Sequence, residues 1–381
     1  MRILHINASY KPAWKYGGPT VSISGLCEEL VSAGIPTEVF TTTANGEREL
    51  EVAANEPTIV DGVIVTYFTR LTKDHTHFSP KLLLKLWRNA KHYDVIHIHA
   101  WWNMVSILSC FIALKRNVPV VVSPRGMLSS YTFNNDNVGK KGAIHRFLGK
   151  SLLSKVNIHV TAESEKREIE NLVHPKSFAI IPNLIQLPSV VNAHQLDNAV
   201  FKIIFLSRID AKKGLNILLD ALKNVKHSWH LTIAGSGDVD YINLLKNQAK
   251  ELTIADHITW AGFAGDEKFR LLSEHDLFVL PSHNENFGNA VIESLSVGTP
   301  VLLSDGVGLS NYVKEKDLGW VCEASSTALS NVISTIISGE NEKLVQIRNT
   351  APEIIRLDFN KSILVKQYID LYKKVLVDER L

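Results

Sequence analysis

Residues 201–235 read FKIIFLSRIDAKKGLNILLDALKNVKHSWHLTIAG. An apolar run, KIIFLS, ends at Ser207. A 3.6-residue apolar period starts at Leu215, and a second apolar run, HLTIAG, ends at Gly235. Strand, helix, strand in this order is a βαβ unit, and a helical crossover obliges its two strands to lie parallel. The pattern continues downstream through ITWAG, DLFVLPS, a helix near Phe287–Ser296, and PVLLSD. Upstream, strands are predicted at Arg2–Asn7, Thr37–Thr42, Val95–His99, Val118–Ser123, Ile158–Thr161 and Phe178–Ile181. Helices are predicted at Ser22–Ser32, Pro80–Asn89, Val105–Lys115, Lys141–Lys155 and Glu165–Leu172. Such alternation specifies an α/β class with parallel sheets. Similar strand counts in the two halves predict two Rossmann-like domains, 1–190 and 200–360. Leu184–Ala199, without periodicity, reads as the linker, and 361–381 as a final helix.

A chain of 381 residues has room for two such domains. Apolar residues make up 45% and charged residues 21%, ordinary for a folded protein. A net charge of +2 gives no footing for nucleic acid. Cys27, Cys110 and Cys322 are widely spaced, with neither disulfide nor metal spacing, which fits a reducing compartment. The start, MRILHINASYKPAW, has no apolar run of a secretory leader. The apolar stretch Trp101–Leu114 falls short of the roughly 20 residues of a membrane span. A cytoplasmic protein is expected, with contact to the inner face of a membrane left open. For that contact Lys140–Lys155 is the candidate: Lys140, Lys141, Arg146, Lys150 and Lys155 without an acid, beside Ile144, Phe147, Leu148 and Leu152 at helical spacing. A helix covering the sheet with a solvated basic side is the favoured reading of the same residues, because a Rossmann-type sheet needs covering helices.

Ser207-Arg208-Ile209-Asp210-Ala211-Lys212-Lys213-Gly214-Leu215 places three cations between a strand end and a helix start. The macrodipole disfavours cations there. An anion held by Arg208, Lys213 and the helix amides removes the conflict, and a diphosphate offers a guanidinium two oxygens to grip. The second segment is Pro281-Ser282-His283-Asn284-Glu285-Asn286-Phe287-Gly288-Asn289-Ala290-Val291-Ile292-Glu293. It leaves the strand DLFVL and enters a helix. Glu285 precedes the first helical turn, and Glu293 lies inside the helix at a position that the helical period can turn back toward the strand ends.

The run Glu285–Glu293, with Phe287-Gly288 inside it, resembles the Glu-x7-Glu signature of the retaining GT-B glycosyltransferases of family 4. Ser207-Arg208 followed by Lys212-Lys213-Gly214 is similar to that family's phosphate-gripping segment. Gly17-Gly18-Pro19 and Asn183 in Ile-Pro-Asn fit as well, in the same order along nearly the whole chain. The resemblance implies a GT-B fold, two Rossmann-like domains facing across a cleft, with the C-terminal helix crossing back to the first. It implies sugar transfer from a nucleoside diphosphate to an acceptor hydroxyl, with retention and without a metal, in bacterial surface polysaccharide or lipopolysaccharide synthesis. A UDP-sugar is expected ahead of a GDP-sugar as donor, with a glycan or a lipid-linked acceptor.

On the same ground, Arg208 and Lys213 would neutralise the leaving diphosphate. Glu285 would bind hydroxyls of the transferred sugar and Glu293 those of the ribose. Gly17 and Gly18 would admit the diphosphate to the backbone. Gly235 and Gly237 would line the nucleotide side, with Asn286, Phe287 and Gly288 also on the donor side. A tight βα connection is the equal alternative for the two glycines of Gly235-Ser236-Gly237.

In Val95-Ile96-His97-Ile98-His99-Ala100-Trp101-Trp102, strand alternation puts His97 and His99 on one face. Two histidines without a third ligand of suitable spacing do not make a metal site. The resemblance places His99 near the transferred sugar. Trp101 on the acceptor side offers a ring to a sugar, or packs in the core. Arg125, in Ser123-Pro124-Arg125-Gly126-Met127, is a second strand-end cation, assigned to the acceptor side; it reads as holding an acceptor phosphate or a donor hydroxyl, or as an ion pair with Glu163. Asp238-Val239-Asp240 reads as a helix cap rather than a metal motif. Two other functions share these features: a GT-B nucleotide-sugar epimerase and a non-catalytic sugar-nucleotide-binding subunit.

Overall fold

The computed structural model describes residues 1–129, 149–188, 200–339 and 341–378. The chain divides into two compact units, Met1–Leu184 with Lys361–Leu381 (unit 1) and Ile185–Asn360 (unit 2).

Unit 1 is built on strands β1 (Ile3–Ile6), β2 (Thr37–Thr42), β5 (Pro57–Val60), β6 (Val63–Phe68), β7 (Val95–His99), β8 (Val120–Ser123), β9 (Asn157–Val160) and β10 (Ser177–Ile180). Between β2 and β5 lies a small hairpin, β3 (Ala44–Asn45) with β4 (Arg48–Glu49). The main sheet runs β10-β9-β8-β7-β1-β2-β6-β5, parallel except for the edge strand β5. Helices α1 (Gly18–Ser32), α2 (Pro80–Asn89), α3 (Met104–Lys115), α4 (Lys150–Leu153) and α5 (Glu163–Glu170) accompany it.

Alternation divides the two faces of this sheet. Leu4, Ile6, Ile96, Ile98, Val120, Val122, Ile158 and Val160 form one core with Leu82 and Leu86 of α2 and Val105 and Cys110 of α3. Each such buried aliphatic side chain contributes about 1.5–3 kcal/mol. The opposite face carries His5, His97, His99 and His159, all fully or almost fully buried. The helix Lys361–Asp378 packs there beside α1, with Lys361 Nζ 3.0 Å from Glu29 Oε1.

Unit 2 is a six-stranded, all-parallel sheet: β11 (Phe201–Leu206), β12 (Trp229–Ala234), β13 (Ile258–Gly262), β14 (Leu277–Leu280), β15 (Val301–Ser304) and β16 (Gly319–Cys322). Its order is β13-β12-β11-β14-β15-β16. The helices are α6 (Leu215–Leu222), α7 (Val239–Glu251), α8 (Lys268–Ser273), α9 (Asn289–Ser296), α10 (Ser310–Glu315), α11 (Ser326–Gly339) and α12 (Asn341–Asp358). The helix Lys361–Asp378 of unit 1 follows as α13.

The alternating α/β reading holds in both units, although it leaves out the β3–β4 hairpin, helices α8, α10, α11 and α12, and the strands named next. The hairpin β5–β6 turns on Asp61 (φ 47) and Gly62 (φ 81), the left-handed pair that a tight two-residue turn requires. That Asp-Gly signal, between PTIV and VIVTYF, is legible in the sequence but went unread. The short edge strand β16 was also missed. Of the basic segment Lys140–Lys155, residues 140–148 lie outside the described residues, and Lys150–Leu153 forms the short α4. Among the described residues no helix is long and apolar enough to cross a membrane.

Candidate functional site

In unit 2 the chain runs from β11 outward to β13, then returns to start again at β14 beside β11. The order reverses between β11 and β14, and a parallel sheet opens its ligand crevice at the carboxyl ends flanking such a reversal. Lys213 follows β11 and Glu285 follows β14. Their side chains form an ion pair, Lys213 Nζ to Glu285 Oε2.

The local sequence explains the placement of Lys213. Asp210 accepts from Lys212 N at 3.1 Å and opens a 3-10 turn, Ala211–Lys213, which ends at Gly214 in the left-handed region (φ 71). Arg208 is exposed, its Nη2 3.5 Å from Asp210 Oδ2. Burial, then Lys212 and then Arg208, push the Lys213 pKa below the ordinary lysine value. The Glu285 carboxylate opposes them by favouring the ammonium. Burial, followed by Arg208, lowers Lys212 as well. Three cations on one turn, facing one carboxylate across the crevice, leave the site short of negative charge.

Glu285 is held by backbone. Its N–H donates to Gly306 O at 2.9 Å, and its carbonyl accepts from Gly308 N at 2.8 Å, a parallel bridge centred on Val307. The segment Asp305–Gly308 was absent from the sequence reading, although Asp-Gly-x-Gly after PVLLS is a turn signal. A Cβ on Gly308 would stand 1.9 Å from Asn286 O. Gly308→Ala is therefore expected to displace the Glu285 loop and destabilise the protein by about 1–3 kcal/mol. An unchanged urea midpoint would refute the backbone clamp.

Glu293 is buried in α9 and pairs with Lys268, Nζ to Oε1 2.6 Å. Asn286 lies on the loop between Glu285 and α9, and Gly288 is the left-handed N-cap of that helix (φ 94). Phe287 is 2% exposed, with its ring 6.2 Å from Phe359; it anchors the loop in the core instead of facing a donor. Gly235 and Gly237 serve the tight connection. A Cβ on Gly237 would meet Ile209 O at 2.1 Å, where the two backbones form a parallel bridge, and one on Gly235 would meet Ser207 O at 1.9 Å. Their lack of a side chain joins the loops after β11 and β12. Asp238 caps α7, accepting from Tyr241 N at 3.0 Å.

Unit 1 has its own reversal, between β1 and β7. Gly17 follows β1 with φ 68, and a Cβ there would meet nothing within 4 Å, so space lies open beside it. Gly18 and Pro19 begin α1. His99 closes β7. It is fully buried and both ring nitrogens are engaged: Nε2 lies 2.9 Å from His5 Nδ1, and Nδ1 lies 3.4 Å from Arg125 Nε. His99 thus faces Arg125 and His5 in place of open space. Trp101 is also fully buried, within the unit 1 core, so it presents no ring for a sugar. Arg125 does not pair with Glu163. It binds Ser22 Oγ and Asn183 Oδ1, both at 3.0 Å, besides His99.

His5 and His159 were missed because each is single in sequence. Register brings them in: His5 lies opposite His97 across the β1–β7 pair. A directed chain of hydrogen bonds follows from the donors available. His159 Nε2 donates to Ile181 O (2.9 Å), so its Nδ1 accepts from Ser123 Oγ (2.6 Å). Ser123 Oγ then accepts from His97 Nε2 (2.6 Å), and His97 Nδ1 accepts from the Tyr372 hydroxyl (2.8 Å). Tyr368, one turn before Tyr372, reaches His159 Nε2 at 3.1 Å. Burial, with Arg125 next, pushes His5 and His159 down to about 3, and His97 and His99 lie well below the usual histidine range, again chiefly through burial. Ring nitrogens of His5, His97 and His99 cluster within 4.8 Å, the spacing of a metal trio. His97 has both nitrogens committed within this chain, however, and the Arg125 cation adjoins His99.

Two family models match the chain: Glycosyltransferase Family 4 over residues 16–187, and glycosyl transferases group 1 over residues 190–354. An uncharacterized glycosyltransferase of Methanocaldococcus jannaschii is 25% identical, over 98% of each chain. Among solved structures, sucrose-phosphate synthase from Thermosynechococcus elongatus aligns over 99% of this chain and 100% of its own, with TM-score 0.79 and 18% identity. Anabaena HepE in complex with UDP and glucose aligns over 98% and 100%, with TM-score 0.73 and 21% identity.

Proposed function

The chain belongs to the family 4 and group 1 glycosyltransferases and has their GT-B fold, and we propose that it moves a sugar from a nucleoside diphosphate to an acceptor hydroxyl with retention. One observation carries the reading: the Lys213–Glu285 pair stands at the strand-order reversal of unit 2, with Arg208 and Lys212 crowded beside it. Breaking the anomeric C–O bond puts negative charge on the departing diphosphate. Fixed cations aimed at that charge lower such a barrier more than most other devices. Without ligand, Lys213 and Glu285 neutralise one another. With donor bound, Lys213 turns to the diphosphate and Glu285 accepts from hydroxyls of the transferred sugar. Arg208, exposed and lightly tethered, closes on the second phosphate. Glu293, steadied by Lys268, takes the ribose hydroxyls. The cations stand in for a divalent metal, and the open space beside Gly17 leaves its backbone free to meet a ligand of unit 1. Arg125 serves the acceptor side, a glycan or a lipid-linked sugar of surface polysaccharide synthesis, and His99 acts through it.

A UDP-sugar is the proposed donor, and the UDP bound by HepE supports that choice. Thermal shift against UDP-, GDP- and ADP-sugars tests it. A ligand at 100 times its Kd stabilises by about 2.7 kcal/mol, so the preferred donor stands out. The UDP-sugar is expected to give the largest rise, lost in Arg208→Ala. No rise with any donor would overturn the site, and a new epimer formed from donor alone would overturn the transferase reading.

A further inference from the structure

Arg125 follows β8 with φ 53, and Ala100 follows the neighbouring β7 with φ 64. Two non-glycine residues in the left-handed region, at the carboxyl ends of adjacent strands, are held there at a conformational cost that functional sites tolerate. Among the described residues the guanidinium so placed hydrogen-bonds only to neutral groups. Nη1 donates to Ser22 Oγ and Asn183 Oδ1, both at 3.0 Å, while Nε and Nη2 both point to His99 Nδ1 at 3.4 Å. The single lone pair of that nitrogen satisfies one of them. Among the described residues, five N–H groups therefore share three acceptors, and two have no full partner. The nearby carboxylate of Glu165 is turned to backbone, accepting from Gly126 N at 2.7 Å and Thr161 N at 2.9 Å. Among the described residues no carboxylate pairs with Arg125.

The histidines beneath fix this posture. A guanidinium cannot accept, so His99 Nδ1 carries the lone pair and Nε2–H donates to His5 Nδ1. Neither ring can turn without breaking that bond. Arg125 is thus a rigid, half-buried cation whose spare donors lack an anion, and a bidentate oxyanion supplies what is missing.

We infer that Arg125, held by His99, Ser22 and Asn183, is an anion subsite that takes an oxyanion carried by a substrate, either the carboxylate of an acidic sugar or a phosphate on the acceptor. Calling the ligand a substrate rests on the proposed transferase function; the anion site itself stands on unit 1.

The test uses the full chain with the unit 2 cations removed, Arg208→Gln/Lys213→Gln. Inorganic phosphate, titrated at constant ionic strength with sodium chloride as control, is expected to raise its Tm saturably. Adding Arg125→Gln is expected to abolish the rise, and Arg125→Lys, which keeps the charge and loses the fork, to weaken it at least fivefold. No saturable rise, or a rise indifferent to both Arg125 changes, would overturn the subsite. Should Arg125→Gln not fold, unaltered phosphate binding in Arg125→Lys overturns it alone. Glucuronate and glucose 6-phosphate, titrated in the same way, then identify the source. A tenfold preference for glucuronate, lost in Arg125→Lys, assigns a sugar carboxylate. The opposite preference, likewise lost in Arg125→Lys, assigns a phosphate. UDP stabilisation of the unaltered chain, lost in Arg208→Gln/Lys213→Gln, reports on the donor site separately.

Discussion

Lys213→Ala is expected to lower turnover of the preferred nucleotide sugar by about 100- to 1,000-fold, the usual effect of removing one preorganised donor from developing charge. Donor KM should change far less, because a cation aimed at charge that grows during bond cleavage acts mostly in the transition state. The substitution also strands the Glu285 carboxylate, which is one-fifth exposed, opposite an empty place. Removing one partner of a buried pair is costly, so Tm should fall too. Lys213→Ala/Glu285→Gln separates the two effects. Neutralising the stranded acid is expected to restore Tm and leave turnover low. Turnover within about threefold of the unaltered enzyme would remove Lys213 from the chemistry, whatever its effect on Tm.

Acid should unfold unit 1 over a narrow range. His5, His97, His99 and His159 are neutral in the folded protein at pH 7, and burial is the first cause of their lowered pKa values. In the unfolded chain they titrate near 6.5. Above that pH both states hold the same protons and the folded state has its full stability. Below it the unfolded chain binds up to four more, so stability falls by about 5 kcal/mol per pH unit, down toward pH 3. Total stabilities of about 5–15 kcal/mol place the loss of structure about one to three units below pH 6.5. Urea midpoints at pH 7, 6 and 5.5, followed by emission from buried Trp101, measure it. A midpoint unchanged from pH 7 to 5.5 would show that these rings take up protons without unfolding.

The candidate residues of the two units were unequally legible. In unit 2 the chemistry is local: Arg208–Gly214 and Glu285–Glu293 are each one strand end with its following loop. A linear pattern therefore names the residues, and topology alone sets them side by side. Phe287 shows the limit, since a motif position can anchor a loop as readily as it contacts a ligand. Unit 1 distributes its polar row over β1, β7, β8, β9 and α13, one or two residues from each. His97 and His99 were visible as a pair, but burial was not. The sequence therefore assigned His99 to the ligand, while the fold turns it toward Arg125. Trp101 failed for the same reason, its core alternative prevailing. The glycines after β12 and β15 answer to carbonyl oxygens 22 to 28 residues away in sequence, contacts that only the folded backbone exhibits.

The Tyr372 and Tyr368 hydroxyls that complete the histidine row belong to residues synthesised after all of unit 2. Unit 2 is contiguous in the chain and unit 1 is not. On the ribosome, the later segment can finish its sheet while the earlier one still holds an open polar seam beside β7. Domains generally fold as they emerge, first part first. Here that order cannot hold in full: the histidine row of unit 1 is completed only once residues 361–378 have arrived.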